Sequence, residues 1–439
     1  MTSTFASTSV LTAEAGASEL LALATGLGAS PAGLVAHPDF FDGFVAHPHV
    51  LAAGLLAVAE VAGTRYYDVV AARASRDPVV TASGDRLRFE AMSACHGVYA
   101  RLDLLADGIE GGEVAHGTTN VDINEPLRAA LGAMRRTELL HLAVGMESLR
   151  LATPEAQHVE RKVELPRRWV RSLAEVQVAA AGMTHAATVP ASPARTFLAS
   201  APASGAGPTV GLLPTPRGLT RVDPSTPGSV RLAGTGRLRA LRRVARFASA
   251  LDVWSGATTS AWTVTLPGAR MTLVLSPEPH RGFSGEGGLL EGLAASTDAD
   301  DGAALVLEHL AWESVVDAGA LARATGLAAG QVATALTWLT AAGRIGVDLS
   351  EQAQFHRELP FDAAQAERDN PRLAAARRLV AAGEVRPEDG RWRVPGSDRT
   401  HWVDLAGDGS CTCEWWTRHG GGRGPCAHLL AARLAAGGA

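Results

Sequence analysis

Three cysteines and one histidine near the C-terminus have the types and the spacing to hold a metal ion. They read Cys411-Thr-Cys413, then twelve intervening residues, then Cys426-Ala-His428. Thiolates and imidazoles are the donors zinc takes in structural sites, four at a time and tetrahedrally. Each close pair can come from one local turn, and the chain between them need only bring the pairs together. With four protein donors the site is closed, so no position remains for water or substrate, and the expected role of Zn2+ is structural. A unit this small has little core of its own, so the metal would supply part of its folding free energy. His419, inside the intervening loop, is a competing ligand. The fourth cysteine, Cys95, stands beside His96 in a strand-like pattern and reads as a buried hydrophobe.

The flanking sequence supplies elements that can position these donors. Trp392-Arg-Val394 and His401-Trp-Val-Asp-Leu405 alternate as strands across a Pro395-Gly396-Ser-Asp398 turn, and Gly407-Asp-Gly409 bends the chain toward Cys411. Arg418 to Pro425 reads as a glycine-rich loop. Cys426 to Ala435 reads as a helix, which places His428 in its first turn. This ββα order with Cys-x-Cys and Cys-x-His pairs resembles the SWIM zinc finger. Further stretches resemble bacterial, mainly actinobacterial, SWIM zinc finger family proteins: Val159-Glu-Arg-Lys-Val-Glu-Leu-Pro-Arg-Arg-Trp169, Pro279-His-Arg-Gly-Phe-Ser-Gly-Glu-Gly287 and Phe355-His-Arg-Glu-Leu-Pro-Phe361. That resemblance implies a place in a chaperone-like assembly with AAA+ ATPases of the MoxR type and von Willebrand A proteins.

The remainder reads as an α+β multidomain chain: a helical N-terminal region (1–80), an α+β central region (81–300), a winged-helix-like segment (301–365) and the C-terminal ββα zinc finger (366–439). In the central region the strand patterns include Leu87-Arg-Phe-Glu-Ala91 and Val98 to Leu104. Hairpins are expected at 149–165, across Thr153-Pro-Glu, and at 261–275, across Pro267-Gly268. A helix is expected from Pro166. Residues 187–235 are rich in Pro, Ser, Gly and Thr and read as a connector that contains a few short strands. Gly236 to Ala250 reads as an amphipathic helix, with Leu238, Leu241, Val244 and Phe247 on one side and Arg239, Arg242, Arg243 and Arg246 on the other. In the winged-helix-like segment, helices begin near Leu305, Asp317 and Ala328 and a strand begins at Arg344. The third helix offers Gln331, Thr334, Thr337 and Trp338 but no basic residue to reach a base edge.

Composition narrows the function. The chain has 439 residues, a formal charge of -5 and a pI near 6.3, which do not support a whole-molecule field that attracts nucleic acid. The finger from Arg386 onward is nearly balanced, with seven Arg against six Asp and Glu. The chain's basic residues are almost all arginine, Lys162 being the one lysine, as in a GC-rich bacterial genome. Met1 to Gly16 shows no secretory leader and no apolar run is long enough to span a bilayer, so a cytoplasmic protein without membrane attachment is expected. No phosphate-binding loop, Gly-x-Ser-x-Gly or His-Glu-x-x-His motif occurs, and Gly282 to Gly287 lacks the Lys-Ser/Thr of a P-loop. Asp103 with Asp122, and Arg281 with Glu286, are the ambiguous polar sets. The expectation is a non-enzymatic zinc protein acting as an interaction or adaptor module. The alternative is a DNA-binding protein that uses the finger and the Arg239/Arg242/Arg243/Arg246 stripe, since phosphate contacts need clustered cations.

Overall fold

A computed structural model describes residues 39–66, 78–162, 167–283, 290, 299–310, 312–359 and 371–437, with four short strands before them. It is a mixed α/β structure with several sheets. The short strands pair as Val10–Thr12 with Leu20–Ala22 and Gly28–Ser30 with Gly33–Val35. The expectation of a helical region over 1–80 is therefore corrected. Among the described residues there, one α-helix, Pro48–Ala62, lies between the strands Phe41–Val45 and Val79–Ser83. Phe41–Val45 alternates buried and exposed side chains because one face packs on the core, and it is paired on both edges, with His141–Val144 and Ile109–Val114. Those partners lie about a hundred and about seventy residues away, so no local pattern announces them.

The central element is an eight-stranded antiparallel sheet. Its order is His116–Asn120, Val79–Ser83, Leu87–Met92, Val98–Leu104, Ala269–Leu275, Ser260–Leu266, Ala250–Ser255 and Thr184–Pro190. Helix Pro48–Ala62 packs against it, and Gly54 permits the approach: a Cβ there would meet Leu102 Cδ1 at 2.6 Å. A second sheet of five strands runs Gln157–Arg161, Ser148–Ala152, His141–Val144, Phe41–Val45, Ile109–Val114. The hairpins expected at 149–165 and 261–275 form as Ser148–Ala152/Gln157–Arg161 and Ser260–Leu266/Ala269–Leu275, and a helix runs over Arg167–Ala181.

The Pro/Ser/Gly/Thr-rich stretch holds short strands, as expected, and also a helix. Thr184–Pro190 is an edge strand of the large sheet, Ala191–Ala199 is a helix, and Val210–Thr215 is the middle strand between Gly218–Val222 and Val230–Leu232. Its prolines and glycines serve the turns between these elements; Gly218, at φ 120°, closes the first hairpin. The expected amphipathic α-helix over 236–250 is also corrected. The chain forms 3-10 turns at Thr235–Arg243 and Ala245–Phe247 and then enters the strand Ala250–Ser255. Leu238, Leu241 and Val244 are buried as the pattern requires, but so is Arg237. Its guanidinium donates to the carbonyls of Ala233, Gly97 and Ser276 and to Ser276 Oγ.

Helices Ala299–His309, Ala318–Thr325 and Ala329–Ala341 share a small core, and the hairpin Ile345–Asp348/Ala353–His356 follows. This is the expected order of elements. The hairpin, however, lies against the large sheet, and Val347, Leu349 and Leu359 belong to the central core. No described helix is long and apolar enough to cross a membrane.

Candidate metal centre

The four C-terminal donors converge. One ligand atom from each of Cys411, Cys413, Cys426 and His428 lies within 4.8 Å of all the others. Zinc–sulfur bonds of ~2.3 Å in a tetrahedron separate thiolates by roughly 3.8 Å, so the cluster is of the right size. Among the described residues it is the one group of three or more potential ligands brought together in this way.

Local folding explains the placement. The strands Arg391–Pro395, Thr400–Asp404 and Ser410–Cys411 form a meander that delivers Cys411. Cys413 caps the helix Glu414–His419, and its Sγ accepts from the Trp416 N–H at 3.3 Å. Cys426 precedes the helix Ala427–Gly437, and its Sγ accepts from the Leu429 N–H at 3.4 Å. Both thiols thus sit where backbone donors favour the ionised form. The stretch read as a loop, 418–425, holds the end of the first helix and a 3-10 turn, Gly420–Arg423. Cys411, Cys413 and Cys426 are buried in a cluster with Val394, Val403, Leu429 and Leu430, which extends to Ala174 on helix Arg167–Ala181.

The electrostatics fit a dication. A hydrogen bond from Cys411, with others from His428 and Leu429, outweighs burial and lowers the Cys426 thiol to about 4. The same bond, burial and the Cys426 charge push Cys411 well up, and burial raises Cys413. Three thiols this close cannot all ionise against one another, and a +2 charge removes that obstacle. His428 Nδ1 is buried without a hydrogen-bond partner among the described residues. His419 is not part of the cluster; its ring meets Trp415 edge-on at 5.0 Å.

Several supports were not legible in the sequence. Arg372, on helix Pro371–Ala381, donates to the carbonyls of Arg423 (2.8 Å) and Pro425 (2.9 Å) and lies over the Trp415 ring. It braces the chain that enters Cys426 from more than fifty residues away, and no local signal marks it. Arg433 donates to Asp408 O, tying the ligand-bearing helix to the turn before Cys411. His401 is buried with its ring 4.3 Å from that of His428; burial, and then the charges of His428 and Arg399, lower its pKa.

The other sequence candidates separate. Glu60 pairs with Arg239 at 3.4 Å and Arg243 at 2.6 Å; Arg246 lies over Phe247, and Arg242 is exposed. The stripe is therefore broken by a carboxylate and is not carried on a regular α-helix. Asp103 does not pair with Asp122. It is fully buried with Arg101 at 3.0 Å, and Asp122 lies beside Glu160 instead. Cys95 is buried against Ser93 Oγ. Glu286 lies outside the described residues.

A buried polar network away from the cysteine cluster also escaped the sequence. Asp348, at the tip side of the hairpin, is fully buried and meets Arg270 at 3.0 Å, Arg101 at 3.1 Å and Arg88 at 3.3 Å on three adjacent strands of the large sheet. Arg101 also donates to Val347 O, and Arg88 stacks over Phe355 at 3.9 Å. Nearby, Glu90 takes Arg357 and the Tyr99 hydroxyl.

Residues 401–437 match the SWIM zinc finger family model. No curated protein matches the chain. Among solved structures, the Proliferating Cellular Nuclear Antigen of Entamoeba histolytica aligns with 55% of this chain and 100% of its own at 11% identity and a TM-score of 0.37. The PCNA2–PCNA3 complex of Sulfolobus tokodaii aligns with 54% of this chain and 99% of its own at 10% identity and 0.39. No functional reading follows from either. The C-terminal segment is a SWIM zinc finger, and its cluster of three cysteines and one histidine is compatible with bound Zn2+.

Proposed function

We propose that this protein is a non-enzymatic interaction module whose finger is braced by structural zinc and whose partners are proteins. The observation that carries the reading is the burial of the hairpin after the three-helix segment. Asp348 is held by Arg88, Arg101 and Arg270, so the element that would serve as a DNA-contacting wing faces the protein's own sheet. The preceding helix turns Gln331, Thr334 and Thr337 outward, and Thr334 and Thr337 bond back to Gly330 and Ala333. That face is neutral and fits a protein partner better than a phosphate backbone. The AAA+ ATPases and von Willebrand A proteins implied by the sequence resemblance are the partners to try first.

One observation favours the DNA alternative in a changed form. Several cations stand near His419 at the finger, although one of them, Arg418, also pairs with Glu414. Desolvation, then the charges of Arg423, Arg281, Arg418 and Arg372, lower the pKa of His419. The test is a pull-down of AAA+ ATPases and von Willebrand A proteins on the full-length chain, beside titrations of labelled double- and single-stranded DNA at two salt concentrations. Cys426→Ser is the control. Partner capture that depends on Cys426, with no DNA binding at low salt, supports the proposal. Salt-sensitive DNA binding lost in Cys426→Ser, with neither class of protein captured, overturns it.

A further inference from the structure

The residues that read as a connector build a cavity of about 810 Å³ between helix Ala191–Ala199 and the three-stranded sheet. That is within the range of ~300–1,000 Å³ typical of small-molecule sites. Its floor is buried and apolar, formed by Leu212, Leu232 and Leu238. One wall is Phe197, held in place by stacking on Trp262 at 5.8 Å between centroids.

The polar groups around this floor are one-sided in charge. Arg217 and Arg221 line the cavity, both are exposed, and no Asp or Glu lines it. Among the described residues neither guanidinium has a carboxylate partner. Arg221 stands directly across from Leu212 in the hairpin register, which places cation and apolar floor on one face of the sheet. Thr235, which also lines the cavity, is buried, and its hydroxyl has no hydrogen-bond partner among the described residues. A buried hydroxyl left unpaired costs free energy unless a ligand or water meets it.

We propose that this cavity binds a small amphipathic anion, a carboxylate attached to an apolar body. The apolar body lies on Leu212, Leu232 and Leu238, the carboxylate meets Arg217 and Arg221 at the mouth, and Thr235 serves a second polar group.

The probe is 8-anilinonaphthalene-1-sulfonate, an apolar body with one anionic group, titrated by fluorescence into the full-length protein. Displacement by decanoate and by decanol then separates the charged from the neutral ligand. Two variants whose folding is verified by circular dichroism and melting locate the site. Arg217→Glu/Arg221→Glu reverses the charge at the mouth, and Ser200→Trp adds bulk at an exposed position on the rim. Saturable binding is expected, displaced by decanoate at least about tenfold more effectively than by decanol and weakened by about tenfold or more in the double variant, as for charge-assisted contacts. Ser200→Trp should abolish it. Equal displacement by decanol, or unchanged probe binding in either folded variant, overturns the proposal.

Discussion

Replacing Asp348 by Asn should undock the hairpin from the large sheet. The change keeps the size of the side chain and removes one charge from a network in which Arg86, Arg88, Arg101 and Arg270 face Asp85, Asp103, Asp348 and Glu351. Three of the arginines that Asp348 meets directly are almost completely buried, so the variant leaves an uncompensated cation where water cannot reach it. Breaking a buried pair from one side costs about 3–5 kcal/mol. For a folding unit of ~150–250 residues that corresponds to a fall in Tm of roughly 6–20 °C. Glu351→Gln is the internal contrast: it meets Arg86 and Arg270, but its side chain is 37% exposed, and such pairs contribute about 1 kcal/mol or less. The pH dependence follows from the same contacts. Burial opposes ionisation of Asp348, but the charges of Arg101, Arg270 and Arg88 together outweigh it and hold its carboxyl well below the usual range. Its stabilising contribution is therefore complete above the unfolded carboxylate range near pH ~4 and is lost as the pH falls below that range. Calorimetry at pH 7 and pH 3, with hydrogen exchange at the Val347 amide, measures both effects; that N–H donates to Gln177 Oε1 at 2.7 Å and reports whether the hairpin is docked. An Asp348→Asn protein that melts within about 1 °C of the parent at pH 7, with an unchanged Val347 exchange rate, would refute the reasoning.

Cys426→Ser should release zinc that the parent retains at one ion per chain after dialysis, as metal analysis reads, while the central core melts as before; full retention would mean that another side chain replaces the thiolate. Arg372→Ala removes the donor to the Arg423 and Pro425 carbonyls and should weaken zinc binding about 10- to 100-fold in chelator competition, and an unchanged affinity would deny Arg372 its positioning role. Glu160, raised to about 6 by burial and then by Asp122, contributes stability that is present below the unfolded glutamate range and is lost as the pH rises through about 6. Denaturant midpoints at pH 5 and pH 8 should differ in the parent and differ less in Glu160→Gln; equal differences would rule that site out.

Local chemistry was readable without coordinates. The four residues of the cluster could be named because each pair is close in the chain and the pairs are separated by a short stretch, a type and spacing that suit a tetrahedral site. The hairpins Ser148–Ala152/Gln157–Arg161 and Ser260–Leu266/Ala269–Leu275 could be named for the same reason: the partner strand is next in the chain. At 187–235 the proline-rich composition reports where the backbone turns, but not which sheets the short strands between the turns join. Periodicity misled at 236–250. It places Leu238, Leu241 and Val244 inside, but a 3-10 path does this as well as an α-helix, and the buried Arg237 donates to the carbonyls of nearby Ala233 and of Gly97 and Ser276, far away in the chain.

The strand Leu87-Arg-Phe-Glu-Ala-Met92 marks the division between the two kinds of information. By itself its alternation determined a strand with one apolar and one charged face, as side chains of period two must produce. Only the tertiary structure decided that the charged face is not wet. Arg88 meets Asp103 and Asp348, and Glu90 meets Arg357; the hairpin that supplies Asp348 lies some 260 positions farther along the chain. Polarity is a property of the residues on a face. Whether water or another element covers that face depends on where the rest of the chain packs, and buried charges are stable there only because that packing brings their counter-charges.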